Sequence, residues 1–230
     1  MIIPVGDKNP LRTTPYVTWL LIAANVAVSF YYMIYRRDRA VEIVHAYALK
    51  PDQWMDLKTI FTSMFLHGDL LHLLGNMLFL YIVGDNVEDR VGHVPYLVFY
   101  ALAGVAAAAA HVYYTLHFAK GSASIPTVGA SGAISGMMGA YLVFFPSGKI
   151  KFALWLVIFI RTFTLPAWGA IGFWILGQVL MAREQYHGIA KDEAQMVAVF
   201  AHIGGFLFGF GVAALLRVFG KPPPKKASSE

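Results

Sequence analysis

Long apolar runs, closed off by charges, turns or prolines, organise this sequence. Residues 17–35 carry no charge and stop at Arg36-Arg37. About 20 mostly apolar residues in a helix cross a hydrocarbon core about 30 Å thick, so this run predicts a first membrane span. It lacks the small-residue cleavage pattern of a signal peptide and is expected to stay in the mature chain. Asp69 breaks the next run and leaves a short second span at about 70–84. Residues 94–119 predict a third, with Pro95 near its N-terminus, where a helix tolerates proline. Residues 121–126 hold Gly, Ser and Pro and read as a loop. A fourth helix is expected at about 129–145, ended by Pro146-Ser147-Gly148. Residues 149–183 are too long for one span. The part before Arg161 reads as interfacial or half-buried, and 166–181 as the fifth span. A run at about 194–216 predicts the sixth, before a basic tail of Arg217, Lys221, Lys225 and Lys226.

The expected fold class is therefore all-α, a polytopic bundle of six transmembrane helices over residues 17–219. Residues 1–16 form an N-terminal tail and 220–230 a basic C-terminal one. Composition agrees: 58% of residues are apolar and 13% charged, against about 45–50% and about 25% in soluble domains. The net charge of +5 fits loops facing anionic lipid better than a nucleic-acid surface. The absence of cysteine removes disulfides, thiolate metal sites and cysteine nucleophiles. With Arg161 left out, nine Lys/Arg fall on the side of the termini and eight on the other. The basic tail tips the expectation towards cytoplasmic termini, in a prokaryotic inner membrane. No internal repeat supports a transporter built of inverted halves.

Polar groups at membrane depth need partners and mark functional sites. They are Ser131, Ser135, His72, Asn76 and His202, with Gln178 and His111 at the margins. Ser131 lies between Gly129 and Gly132 at the start of an apolar helix, where free N–H groups favour a developing oxyanion. The plainer alternative is a helix cap. His202 opens the sixth span. Gly132, Gly136 and Ala140 recur every fourth residue in the fourth span, as do Gly205, Gly209 and Ala213 in the sixth. Small residues at that spacing let membrane helices pack with their backbones close, which would bring Ser131 to His202, an acyl-transfer nucleophile and its base. His72 and Asn76 share a face four residues apart and are suited to an oxyanion hole. Zinc is disfavoured, because the spacing is not His-Glu-x-x-His and the glutamate is missing.

His67-x4-His72-x3-Asn76, Gly129-Ala130-Ser131-Gly132 and Ala201-His202-x-x-Gly205, in that order on spans two, four and six, resemble the rhomboid intramembrane serine proteases. Asn9-Pro10-Leu11-Arg12, residues 84–89 after span two, and Pro126-Thr127-Val128 extend the likeness to about residues 8–220. The resemblance implies Ser131 as nucleophile and His202 as general base. It also implies an oxyanion hole of His72, Asn76 and the Ser131 backbone N–H, with His67 nearby. Many members have an aromatic residue where Ser135 stands, stacked on the base; here Ser135 itself is a candidate to orient His202. The Trp-Arg of the family's first loop is also missing, since Met55-Asp56 follow Trp54.

The expected activity is cleavage of transmembrane or membrane-anchored proteins within or near the bilayer, without metal or cofactor. Short second and fourth spans would leave room for a water-filled cavity. The alternatives are an inactive relative that binds membrane clients, and a channel or small-solute transporter. Two packing expectations go with this reading: His72 lies deeper than Asn76, and Val143 faces lipid.

Overall fold

The structure is a computed structural model describing residues 2–156, 159–186 and 198–219. Among these residues six long helices form the body: α1 (Tyr16–Phe30), α4 (Leu70–Val91), α5 (His93–Phe118), α6 (Ser131–Phe144), α7 (Ala167–Tyr186) and α8 (Ala198–Phe219). Two short helices, α2 (Ala40–Tyr47) and α3 (Leu57–Thr62), lie in the loop between α1 and α4. With the π-helical turn Tyr31–Tyr35 that continues α1, four helices among the described residues are long and apolar enough to cross a membrane: Tyr16–Tyr35, α4, α5 and α8. The protein is thus a mostly helical, multi-pass integral membrane protein. Residues 220–230, and the expected start of span six at 194–197, lie outside the described residues.

The shortest of the six, α6, is the central one. Of its 14 residues, 11 are buried, and a helix that is apolar all round belongs in the middle of a bundle. It packs most extensively on α8 and also meets α5 and α4. Tyr96, Tyr100, Met137 and Tyr141 fill the core around it.

The second span is longer than the sequence suggests. α4 runs for 22 residues, so the acidic run that was expected to follow the span forms its last two turns. Partners from the N-terminal segment make this possible. Fully buried Glu88 accepts N–H bonds from Val17 (2.9 Å) and Thr18 (2.7 Å) and the Thr18 hydroxyl (2.7 Å). Those donors sit in the first turn of α1, where no side chain of its own caps the helix; a carboxylate there meets free N–H groups and the positive dipole end. His93 Nδ1 lies 2.6 Å from the same carboxylate. Asp89 pairs with Arg12 Nε at 2.8 Å. A single residue, Gly92 (φ 92°), then turns the chain into α5, a backbone conformation glycine adopts without a Cβ penalty.

A small sheet replaces part of the expected tail and interfacial segment. β1 (Ile2–Asp7), β2 (Lys149–Leu156) and β3 (Phe159–Pro166) pair antiparallel in the order β1-β2-β3. Ile3 faces Ala153, and Phe152 faces Phe163 with the rings stacked 5.5 Å apart. Alternation in Lys149-Ile150-Lys151-Phe152 is the strand signal; Ile150 is buried and Lys149 exposed. Asp7 fastens the sheet to the bundle by accepting bonds from Asn86 Nδ2 (2.8 Å) and Tyr141 Oη (2.9 Å).

Candidate active site

The site lies where α4, α6, α7 and α8 meet. Just before α6, the Gly129 N–H is held by the Ser63 carbonyl (2.9 Å). Gly129 has φ 124°, and a Cβ there would lie 2.9 Å from His72 Cε1, 3.0 Å from His72 Nε2 and 3.6 Å from Ser131 Oγ. Both its φ and this close approach require glycine. Ser131 is the first residue of α6, Ala130 occupies the cap position, and no side chain makes a cap bond. Its hydroxyl is therefore not serving as a helix cap.

His72, Asn76, Ser131, Ser135, Trp174 and His202 all line one cavity of about 260 Å³. Asp69 caps α4 through the His72 N–H (2.8 Å). The Gly68 N–H donates to His72 Nδ1 (3.4 Å), so the ring proton sits on Nε2, on the side facing Gly129. Asn76 spends one amide hydrogen on the His72 carbonyl (3.0 Å) and keeps the other. The depth order is the reverse of the one expected: Asn76 is buried, whereas His72 is half-exposed at the cavity wall.

His67 stands behind His72, ring edge to ring face at 5.2 Å. Its Nδ1 is 3.1 Å from Ser29 Oγ, and its N–H donates to Tyr32 Oη at 2.6 Å. Burial pushes its imidazole down to about 4, with His72 adding to the shift. The unfolded chain protonates near 6.5. The folded state therefore has this group's full contribution above about pH 6.5 and loses it progressively as the pH falls towards 4. Thermal unfolding in detergent at pH 7 and pH 4.5 should show that loss, and His67→Gln should shrink the difference. An unchanged difference would assign the acid sensitivity to other groups.

His202 projects from α8 with Nδ1 2.8 Å from Gln178 Oε1 on α7. Its Nε2 is buried and has no hydrogen-bond partner, so the bond to Ser131 is not closed in this structure. Ser135 does not orient the ring. Its hydroxyl donates to the Ser131 carbonyl at 2.6 Å, the usual back-bond of a mid-helix serine. Trp174, one turn before Gln178, lies 5.8 Å from the His202 ring. Gln178 was legible only as a polar residue in span five, and Trp174 carried no signal that set it apart from a lipid-facing aromatic.

The glycine rows of α6 and α8 meet. A Cβ on Gly205 would overlap the Gly132 carbonyl oxygen, and one on Gly209 the Gly136 carbonyl. On the opposite side, a Cβ on Gly132 or Gly136 would come within 2.5 Å of Ala107 or Ala103 of α5. Val143 is buried, not lipid-facing, and its carbonyl accepts from Arg217 Nη1 (2.7 Å).

A multi-pass helical bundle with a half-buried serine at the start of its central helix and a histidine on the neighbouring one defines the class of protein. The rhomboid domain matches residues 52–219, and the chain belongs to the rhomboid family. It is 28% identical over 195 residues to the presenilin-associated rhomboid-like protein, mitochondrial, of Bos taurus, covering 82% of this chain and 45% of that one. The human protein of that name gives the same figures. Rhomboid protease GluP of Bacillus subtilis is 29% identical over 208 residues, 88% of this chain and 35% of that one. The chain thus spans less than half the length of these relatives. They are both mitochondrial and bacterial, so they do not support the prokaryotic inner membrane expected from the sequence.

Proposed function

We propose that the protein is an intramembrane serine endopeptidase acting on transmembrane or membrane-anchored proteins. The observation that carries this reading is the shared cavity, into which Ser131, His202, His72 and Asn76 all open. Ser131 Oγ attacks the peptide carbonyl while His202 Nε2, free of any other partner, accepts its proton. The tetrahedral oxyanion is held by His72 Nε2–H, the uncommitted Asn76 amide hydrogen and the Ser131 N–H at the α6 terminus. His202 then protonates the leaving amine, and water admitted to the cavity hydrolyses the acyl-enzyme. A transmembrane helix satisfies its own backbone, so the substrate must unwind locally before its amide can reach Ser131. Both termini belong on the cytoplasmic side, a placement supported by the basic residues after α8.

Purified protein should react with a fluorophosphonate probe, and Ser131→Ala should not; labelling that survives the substitution ends the protease reading. One observation favours the second reading, a client-binding protein without cleavage: the Ser131–His202 bond is open in this structure. In serine hydrolases without substrate this bond is often long, which favours the first.

Asn76→Ala tests the oxyanion hole. Removing one donor typically costs about 10²–10³ in rate, so turnover of a model transmembrane substrate should fall by that order while the thermal midpoint changes little. Full activity would leave Asn76 a packing residue.

A further inference from the structure

We infer that Gln178 is a positioning residue that fixes the tautomer and orientation of His202. The inference rests on the serine protease reading and deepens it. A base that takes a proton at Nε2 must carry its own hydrogen on Nδ1 and must not rotate away. In serine hydrolases with a triad, a buried carboxylate holds Nδ1–H. Among the described residues, the groups lining this cavity include no carboxylate, and Ser135 is committed to the Ser131 carbonyl.

Gln178 supplies what is missing. Its Oε1 is 2.8 Å from His202 Nδ1, and a carbonyl oxygen can only accept, so the contact places the ring hydrogen on Nδ1. Nε2 is then the lone-pair nitrogen, and it is the buried ring atom without a partner. Gln178 is itself buried, at 7% exposure, where an amide is costly unless hydrogen-bonded. Trp174 stands four residues earlier on α7, on the same face, with its ring centroid 5.8 Å from that of the imidazole and tilted 45° to it. α7 therefore presents an aromatic neighbour and an acceptor to one histidine. Being neutral, the amide orients the imidazole without the charge that a carboxylate would add to the imidazolium.

A positioning role acts on the chemical step and not on docking of the substrate. Gln178→Met keeps the volume and removes the acceptor; Gln178→Glu restores an acceptor at the same reach. The purified full chain would be assayed with fluorophosphonate, for the rate of serine labelling, and with a fluorogenic transmembrane substrate, for kcat and KM. Gln178→Met should slow labelling and lower kcat by about 10- to 100-fold at unchanged KM, an effect of the order expected for a misplaced catalytic group. Gln178→Glu should recover most of both rates. The inference is overturned if Gln178→Met labels at the parental rate, or if its loss appears in KM alone. It is also overturned if Gln178→Glu, folded by its thermal midpoint, is as slow as the methionine variant. Should the methionine variant not fold, the glutamate variant decides alone, since an acceptor requirement demands that it work. If the parental protein itself fails to label, the protease reading falls and this inference with it. Parental labelling with an indifferent Gln178 overturns only the inference.

Discussion

Alanine at Ser131 or at His202 is expected to reduce cleavage of a transmembrane substrate by at least about 10⁴-fold, and the double variant should be no worse than either single one. A nucleophile and its base act as one unit, so removing either leaves only what binding and the oxyanion hole contribute, and further losses do not add. The open Ser131–His202 bond does not weaken this expectation. His202 Nε2 is buried and unpartnered, a state that is unfavourable for a polar atom unless something arrives to use it. Thermal midpoints should move little for Ser131→Ala, because no cap bond is lost with the hydroxyl. They should move more for His202→Ala, which strands Gln178 without its partner. Progress curves for the three variants and the parent, over a long enough incubation to register a 10⁴-fold slower rate, check the prediction. If the double variant were far slower than both singles, the two residues would act independently and the dyad would be the wrong description.

The helical bundle was legible because span length and charge placement are set by the bilayer, whose thickness the sequence has to respect. Charge does not mark the end of the second span. Asp85, Glu88 and Asp89 ended the second span in the sequence, yet Glu88 is buried at the first turn of α1 and Asp89 is paired with Arg12. Those partners are some 70 residues away, and no local rule announces them. The same distance effect hid the sheet, because β1 and β2 pair across nearly 150 residues. At the candidate site, the motif residues His72, Asn76, Ser131 and His202 line one cavity, and the spacing of His72 and Asn76 on one helix sets their shared face. What orients His202 has no such local signature. Ser135 stands four residues after Ser131 and looked available, but the carbonyl one turn behind it was nearer. Gln178 reaches the ring from another helix, and sequence gives no warrant for that pairing.

Gly209→Ala should slow cleavage of a transmembrane substrate and destabilise the bundle without touching any group in the cavity. A methyl group there would overlap the carbonyl oxygen of Gly136, with the carbonyl carbon 2.5 Å and Cα 2.6 Å away. All three are backbone atoms in the middle of α6, so no rotamer change relieves the overlap. The two helices must separate by about an ångström to restore ordinary contact, and overpacking of this kind typically costs about 1–3 kcal/mol. His202 is seven residues before Gly209, about 10 Å along α8, and the separation carries it away from Ser131. A misplacement of about 1 Å can lower a rate on the order of 10²-fold, so cleavage should fall by that order in the fraction that remains folded. Gly136→Leu should act in the same direction from the other helix, because Gly136 is pressed between Ala103 of α5 and the Gly205 carbonyl. Two substitutions separate contact from composition. Gly211→Ala lies two residues further along the same helix with nothing within 4 Å of its Cβ, and alanine there should leave activity unchanged and stability equal or higher, given its better helix propensity. Leu207→Phe adds bulk at a position 62% exposed and should be silent in both assays. Cleavage at the parental rate by Gly209→Ala would mean that α6 and α8 do not meet along these glycines, and the geometry that brings Ser131 and His202 to one cavity would have to come from elsewhere.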